Sequence, residues 1–412
     1  MKHSTSLIVL LIASFVSFSQ NPTNEYLKDN KQDLRQNPSI GIKGAKIIGF
    51  GALHGSAKTE LTEQLILTDL IQHQNLKYYF PETDYSTAHS FQKFIDNGDE
   101  QLLEDLIYEY GKRVPQEGSI EVFNKWKSWR LLFKEHQVQI IGIDKIASYK
   151  YSIKELLELT DSKIERPELE ALEILQENPN TNWTAYYETE TRLIIQNFIS
   201  NFEQNKAIYF KSVIDTFAFN HIIKNIKLTF EKSSREHTIY NNYKTLAAGF
   251  KNKESLHFFR YGVFHLMKSK INGSSSFFNQ LIENKDYSNS EVIVIQGFLT
   301  KSKVLWDAIY DKQGKYSRYT SKAGFGISDY WLEYYKGIKN LKSNRLSDIT
   351  LFNLKNQETP YSLKDDYQLL IIEKLFGKSY WNPEPGKSTI DYFDYAILIS
   401  NSEANKPIEE LK

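Results

Sequence analysis

The chain has 412 residues, of which 41% are hydrophobic and 14% aromatic, so it can bury the core of one large domain or two smaller ones. Its 51 basic and 51 acidic residues give a formal net charge of zero, which argues against nucleic acid and anionic membranes as partners. The chain contains no cysteine, so its chemistry must come from His, Asp, Glu, Arg, Ser and Tyr rather than from thiolates.

The N-terminal segment has the pattern of a secretory signal peptide. Lys2 precedes an apolar run over residues 7–18, and small residues stand at the −3 and −1 positions before residue 20. We therefore predict a signal peptide over residues 1–19 and a mature chain, 20–412, that is periplasmic or secreted and has no membrane span. A retained N-terminal anchor is the alternative.

Short apolar runs alternate with amphipathic helical patterns through much of the remaining chain. This alternation predicts an α/β fold with a mostly parallel central sheet flanked by helices. The residues before the first strand, 21–43, are polar and are interpreted as a lead-in. The predicted strands cover residues 46–50, 77–80, 138–144, 256–261, 292–298, 368–373 and 395–399.

Predicted helices begin after Ser56 and cover residues 86–97 and 121–135, where apolar side chains recur at helical spacing. Residues from about 150 to 250 show helical spacing without a strand pattern, so we interpret them as a helical subdomain inserted into the α/β domain. Residues 300–350 are rich in Gly, Ser and Tyr and are predicted to form loops.

Four ionisable side chains fall at or just past predicted strand ends: His54, Glu82, Asp144 and His265. Parallel strands bring their carboxyl ends to one edge, so these residues can converge there. One histidine can take a proton from water with a carboxylate orienting it, and a second can donate to a developing oxyanion. His54, Glu82 and His265 are therefore the candidate catalytic residues.

Other roles compete for each of these positions. His54, Glu82 and His265 could instead bind a divalent metal, since two imidazoles and a carboxylate are a common ligand set. Glu82 and Asp144 can each cap a following helix, and His265 can be a structural histidine. The seven remaining histidines have no comparable placement and are predicted to be surface or packing residues.

Several short blocks resemble the erythromycin esterase-like family, which is related more distantly to the Tiki and ChaN proteins. Their order and spacing extend over nearly the whole predicted mature chain. The matching residues are Gly51–Gly55 with Glu60 soon after, Tyr79–Tyr85, Phe94–Asp99, Gly142 to Asp144, Arg235 and Glu236 with Asn242, Val263 to His265, and Phe393 to Tyr395.

The resemblance implies a carboxylic ester hydrolase without a cofactor. His54 would act as general base on a water that attacks an ester or lactone carbonyl, with Glu82 and His265 as its catalytic partners. The resemblance places Arg235 and Asn242 along the substrate cleft, and we add Glu60 and Asp144 as further candidate substrate-binding residues. The helical insertion would roof a deep pocket suited to a bulky small-molecule ester.

This chain departs from the family at Ala52, where the family turn carries a glutamate. Glu60, Asp84 or Asp144 would have to supply the missing carboxylate, and loss of one acid–base group commonly costs about 10² to 10⁴ in rate. Three hypotheses follow: a metal-independent esterase, a metal-dependent hydrolase of the Tiki type, and a ligand-binding protein without catalysis, whose ligand would be apolar or haem-like.

Overall fold

The computed structural model describes residues 22–161, 167–231, 233–252, 254–327, 329–376, 379 and 381–411. The predicted signal peptide, residues 1–19, lies outside these described residues. Within the described part of the chain, no helix is both long and apolar enough to cross a membrane.

Thirteen strands are found among the described residues. They are β1 Lys31–Asp33, β2 Ile47–Gly51, β3 Leu76–Pro81, β4 Gln139–Ile140, β5 Leu256–Arg260, β6 Val292–Thr300, β7 Lys303–Tyr310, β8 Tyr316–Ala323, β9 Asp329–Tyr330, β10 Glu333–Tyr335, β11 Ile349–Asn353, β12 Ile372–Lys374 and β13 Tyr395–Ser400.

Eight of these strands form the central sheet, in the order β1-β11-β13-β6-β2-β5-β3-β4. Neighbours from β13 to β4 all pair in parallel, whereas β11 is antiparallel to both β1 and β13. The prediction of a mostly parallel central sheet is confirmed.

The α-helices of the described residues flank this sheet. They are α1 Pro22–Asp29, α2 Ala57–His73, α3 Tyr85–Asn97, α4 Glu100–Arg113, α5 Ile120–His136, α6 Lys150–Glu158, α7 Pro167–Glu177, α8 Glu190–Gln204, α9 Lys206–Tyr209, α10 Thr216–Phe230, α11 Arg235–Ala247, α12 Val263–Leu266, α13 Phe277–Glu283 and α14 Ile338–Ser343.

The sheet carries a hydrophobic core on each face, as the alternation of side chains along β2 shows. Ile48 and Phe50 belong to a core with Trp126 and Trp129 of α5, whereas Ile47 belongs to another core that includes Tyr243 of α11. Strands buried on both faces need continuous apolar runs, which is the pattern that made them recognisable in the sequence.

The helices α6 to α10 form a third hydrophobic core of their own, which includes Ile153, Leu172, Phe198 and Ile222. This is the inserted helical subdomain of the predicted fold. The helix α11, which also falls within residues 150–250, packs instead on the sheet core through Ile239.

The prediction of loops over residues 300–350 is wrong. This segment contains the hairpin β7–β8, the strands β9 and β10, the helix α14 and the first residues of β11. The strand β8 is almost entirely exposed or half-buried, so it has no apolar face to produce a period-two pattern.

The predicted strand over 368–373 is also wrong for most of its length. Only β12 forms there, and it belongs to a separate three-stranded sheet with β10 and β9.

Two further predictions are corrected near the sheet edges. Of the strand predicted over 138–144, only β4 forms. Beyond it the chain packs against the backbone at Asp84, since a Cβ on Gly142 would lie 2.0 Å from the Asp84 carbonyl oxygen. The lead-in over residues 21–43 contains α1 and β1, and its isolated apolar residues Leu27 and Leu34 are fully buried.

Candidate functional site

The three predicted catalytic side chains lie at the carboxyl edge of three neighbouring strands. His54 follows β2, Glu82 follows β3, and His265 lies on α12 just past β5. The Nε2 atom of His54 lies 3.6 Å from Oε2 of Glu82, and the Nε2 atom of His265 lies 3.7 Å from its Oε1. Both imidazoles therefore face one carboxylate.

Close backbone packing sets the position of the His54 turn. A Cβ on Gly51 would lie 2.8 Å from the Cα atom of Val263, so only glycine lets β2 approach α12 this closely. Gly55 has a φ of +84°, in the left-handed region that glycine adopts without strain. The glycines around His54 thus bring it towards the segment that carries His265.

Glu82 is held by donors from two other elements. The Arg235 Nη2 atom donates to Oε1 at 2.7 Å, and the Gly262 backbone N–H donates to Oε2 at 2.7 Å. Burial favours the neutral carboxyl, but His54, His265 and Arg235 outweigh it and hold the Glu82 pKa well below its usual value. Glu82 is therefore an ionised group fixed in place.

Asp144 anchors the arginine that holds Glu82. Arg235 donates from Nε to Asp144 Oδ1 at 2.9 Å and from Nη2 to Oδ2, while its Nη2 also reaches Glu82. The Asp144 side chain is fully buried. Neither carboxylate caps the helix that follows it: Asp84 is the N-cap of α3, where it accepts from the Thr87 N–H, and Tyr149 is the N-cap of α6.

A carboxylate that the sequence did not single out contacts His54. The Nδ1 atom of His54 is hydrogen bonded to Oε1 of Glu117, which lies in the turn between α4 and α5. Burial and Arg260 lower the His54 pKa, but Glu117 and Glu82 outweigh them and raise it to about 9. Burial alone would raise the Glu117 pKa, yet chiefly the charge of His54 lowers it to about 2. The two groups form an ion pair at neutral pH.

His265 has an equivalent partner in Glu236. Its Nδ1 atom lies 2.5 Å from Glu236 Oε1, and the other oxygen of Glu236 accepts the Phe277 backbone N–H at 2.8 Å. Because a carboxylate can only accept, each Nδ1 is the donor and each Nε2 points to Glu82. The site thus contains two imidazole–carboxylate pairs facing a common carboxylate, which we call the paired-histidine site (His54–Glu117, His265–Glu236 and Glu82).

Two cavities adjoin His54. The larger, about 280 Å³, is lined by both imidazoles and mainly by apolar groups such as Phe264 and Trp381. The smaller, about 30 Å³, lies beside Glu82 and Glu117 and has room for about one or two water molecules. The site therefore combines an apolar compartment that can hold an organic ligand with a small compartment whose lining includes the charged side chains of Glu82, Glu117, Lys125 and Arg260.

The four predicted substrate-binding residues are not among the lining residues of either cavity: Glu60, Asp144, Arg235 and Asn242. Glu60 is 1% exposed and accepts from the buried Lys125, which also pairs with Glu63. Asn242 donates to the Ile143 carbonyl at 3.0 Å, which fixes the backbone just before Asp144. The carboxylates that contact His54 in the described structure are Glu82 and Glu117, and Glu117 is not one of those expected to compensate for Ala52.

Glu82, one of the three metal ligands of the alternative hypothesis, is engaged by donors of the protein itself. Both oxygens of Glu82 already accept hydrogen bonds, and Arg235 places a positive charge beside them. Among the residues that the structure describes, no group of three or more His, Asp or Glu side chains is placed to hold a metal ion.

No protein-family model and no curated protein sequence matches the chain. Solved structures do match over nearly its full length. A Bacillus cereus protein is 13% identical at a TM-score of 0.59, covering 94% of this chain and 98% of that one. A succinoglycan biosynthesis protein is 12% identical at a TM-score of 0.60, and the match covers 94% of this chain and 99% of that one.

An erythromycin esterase mutant in its open conformation is 10% identical at a TM-score of 0.58, with 92% of this chain and 98% of that chain covered. This chain shares the fold of an erythromycin esterase. The resemblance seen in the sequence blocks is thereby confirmed at the level of a distant fold relationship, and identities this low carry no further conclusion about activity.

Proposed function

We propose that the protein hydrolyses carboxylic esters at the paired-histidine site. The observation that carries this proposal is the His54 imidazole, which has a carboxylate on Nδ1 and opens onto an apolar cavity that His265 also lines. An imidazole oriented by a carboxylate is a general base suited to water. The fold shared with an erythromycin esterase agrees with this chemistry.

In the proposed reaction, neutral His54 takes a proton through Nε2 from water as its oxygen bonds to the ester carbonyl carbon. Glu117 stabilises the resulting imidazolium, and His265, which lines the same cavity, is the group proposed to interact with the oxyanion. The tetrahedral intermediate then breaks its bond to the alcohol oxygen, which takes the proton from His54. The products are a carboxylic acid and an alcohol, and every proton is accounted for.

This role predicts an alkaline pH dependence. With a pKa of about 9, His54 is mostly protonated at neutral pH and becomes a base only as the pH rises. We therefore expect kcat/KM to increase with pH and to level off above about 9, because this profile reports groups of the free enzyme.

The cavity favours a short, uncharged ester over a large lactone. Its volume of about 280 Å³ lies at the lower end of small-molecule sites, which are roughly 300–1,000 Å³. Among the described residues of its lining, the ionisable groups are the two imidazoles and the Tyr335 phenol. From the signal-peptide pattern we also propose that the protein acts after export.

The test is hydrolysis of p-nitrophenyl esters from acetate to octanoate between pH 7 and 10. We expect turnover of the shorter esters and a loss of about 10² to 10⁴ in kcat for His54→Ala. His73→Ala is the matched control, since His73 is 63% exposed and also pairs with a carboxylate. Absence of turnover for every ester, or full activity of His54→Ala, would contradict the proposal.

One observation favours a binding protein as a second candidate. At neutral pH His54 is a cation between two carboxylates, and this arrangement can orient a ligand without catalysing a reaction. In that case an apolar ligand binds in the cavity without conversion, and His54→Ala changes only its dissociation constant. Calorimetry combined with product analysis separates the two candidates.

A further inference from the structure

A second cleft, separate from the paired-histidine site, lies beside the helical insertion. It has a volume of about 480 Å³ and is formed by α4, the chain around Ser148 and the loop from Thr181 to Tyr187. None of the residues lining the two cavities at His54 lines this cleft. Its volume falls within the range of small-molecule binding sites.

The loop that forms one wall is fixed by backbone pairing. The Tyr149 N–H donates to the Trp183 carbonyl at 2.8 Å, and the Ala185 N–H donates to the Ala147 carbonyl at 2.9 Å. Between these bonds Ser148 and Thr184 form an antiparallel bridge. The backbone of this wall is therefore positioned before any ligand arrives, which lowers the entropic cost of binding.

Two neighbouring tyrosines of this wall face solvent. Tyr186 is 58% exposed and Tyr187 is 71% exposed, and both line the cleft together with Trp183. The two phenol rings have centroids 6.5 Å apart and planes inclined at 64°, so they present faces in different directions. Rings of this size are usually buried for most of their area, so an exposed pair beside a cleft is a surface on which a ligand can stack.

The remaining lining is polar and electrically neutral. An amide and three hydroxyls come from Asn182, Thr181, Thr184 and Ser148. Its two charged residues, Lys112 and Glu109, form an ion pair at 2.8 Å, and Glu109 also pairs at 3.1 Å with Lys150, which lies behind the lining. The charges of the described lining residues therefore sum to zero, and the lining favours an uncharged ligand rich in hydroxyl groups.

We propose that this cleft binds a neutral oligosaccharide. The apolar C–H face of a pyranose packs against the Tyr187 ring, while sugar hydroxyls exchange hydrogen bonds with Asn182 and the neighbouring hydroxyls. This combination of an aromatic face with amide and hydroxyl groups matches the two surfaces of a sugar ring. The site needs no chemistry at His54, so it is independent of the proposed esterase activity.

Titration calorimetry on the full mature chain tests this site. The probes are cellotriose, maltotriose, xylotriose and N-acetylated chitotriose, with trigalacturonic acid as the charged comparison. We expect one or more neutral trisaccharides to bind and Tyr187→Ala to weaken binding about tenfold, while Tyr187→Phe keeps the ring and the affinity. Trp331→Ala is the matched control, because Trp331 is 68% exposed and lies outside the cleft.

The outcomes separate this site from the catalytic one. His54→Ala should bind the same trisaccharide as the parent protein, whether or not the parent hydrolyses any ester. The proposal is overturned if no neutral trisaccharide binds, if trigalacturonic acid binds more tightly than the neutral sugars, or if Tyr187→Ala and Asn182→Ala both bind like the parent.

Discussion

Replacing Glu117 by glutamine tests the electrostatics of the paired-histidine site most directly. Glutamine keeps the shape of the side chain and its acceptor oxygen but removes the negative charge next to His54. In the parent protein the His54 pKa rises from 6.5 to about 9, which corresponds to roughly 3 kcal/mol in favour of the imidazolium. Since an adjacent opposite charge shifts a pKa by about 1–3, we expect the pKa in Glu117→Gln to fall by about that amount.

The same substitution changes how stability depends on pH. Because the folded pKa of His54 lies above its ordinary value of 6.5, its stabilising contribution is fully present below pH 6.5 and is lost as the pH rises through about 9. When the parent protein is unfolded with urea at pH 6 and at pH 10, its free energy of unfolding should therefore be lower at pH 10. His54 should account for roughly 3 kcal/mol of that decrease. Glu117→Gln should show a smaller decrease.

The assay for the pKa itself is an NMR titration of histidines labelled with ¹⁵N, between pH 5 and 10.5. His54→Ala assigns the resonance, and His73 serves as an internal exposed reference. An unchanged His54 pKa in Glu117→Gln would refute the assignment of Glu117 as the group that charges His54. If the protein is an esterase, the alkaline limb of its pH–rate profile should move together with the NMR pKa.

Three further predictions concern the interior and the metal hypothesis. Lys125→Met should destabilise the protein by about 3–5 kcal/mol in urea unfolding, because it removes the ion-pair partner of the buried Glu60 and leaves the buried Glu63 with Arg260 at 3.6 Å. The control Lys127→Met removes an exposed ion pair and should cost under about 1 kcal/mol, and equal costs would contradict this reasoning. Gly142→Ala should unfold the protein or lower its free energy of unfolding by more than about 4 kcal/mol, because the added Cβ would overlap the Asp84 carbonyl oxygen. A thermal midpoint like that of the parent protein would show instead that the backbone shifts to make room. Treatment with a chelator should leave ester turnover unchanged, and restoration of lost activity by a divalent metal would favour the metal-dependent hydrolase.

The sequence was most informative where local patterns carry the structure. Buried parallel strands need continuous apolar runs, so β2, β3, β5, β6 and β13 were visible in the sequence, and their carboxyl ends placed His54, Glu82 and His265 together. The exposed hairpin β7–β8 gave no such signal, because its strands cover no continuous core.

What only the tertiary structure decided is the electrostatic environment of each imidazole. Glu117 lies 63 residues from His54 in a turn that ends no strand, and Glu236 reaches His265 from a helix that packs on the sheet core. No local pattern marks a glutamate that will accept a hydrogen bond from so distant a histidine. The sequence by itself determined which histidines reach the sheet edge. The packing of α4, α5 and α11 determined which carboxylates orient these histidines and stabilise their protonated form, because a pKa depends on neighbours in space.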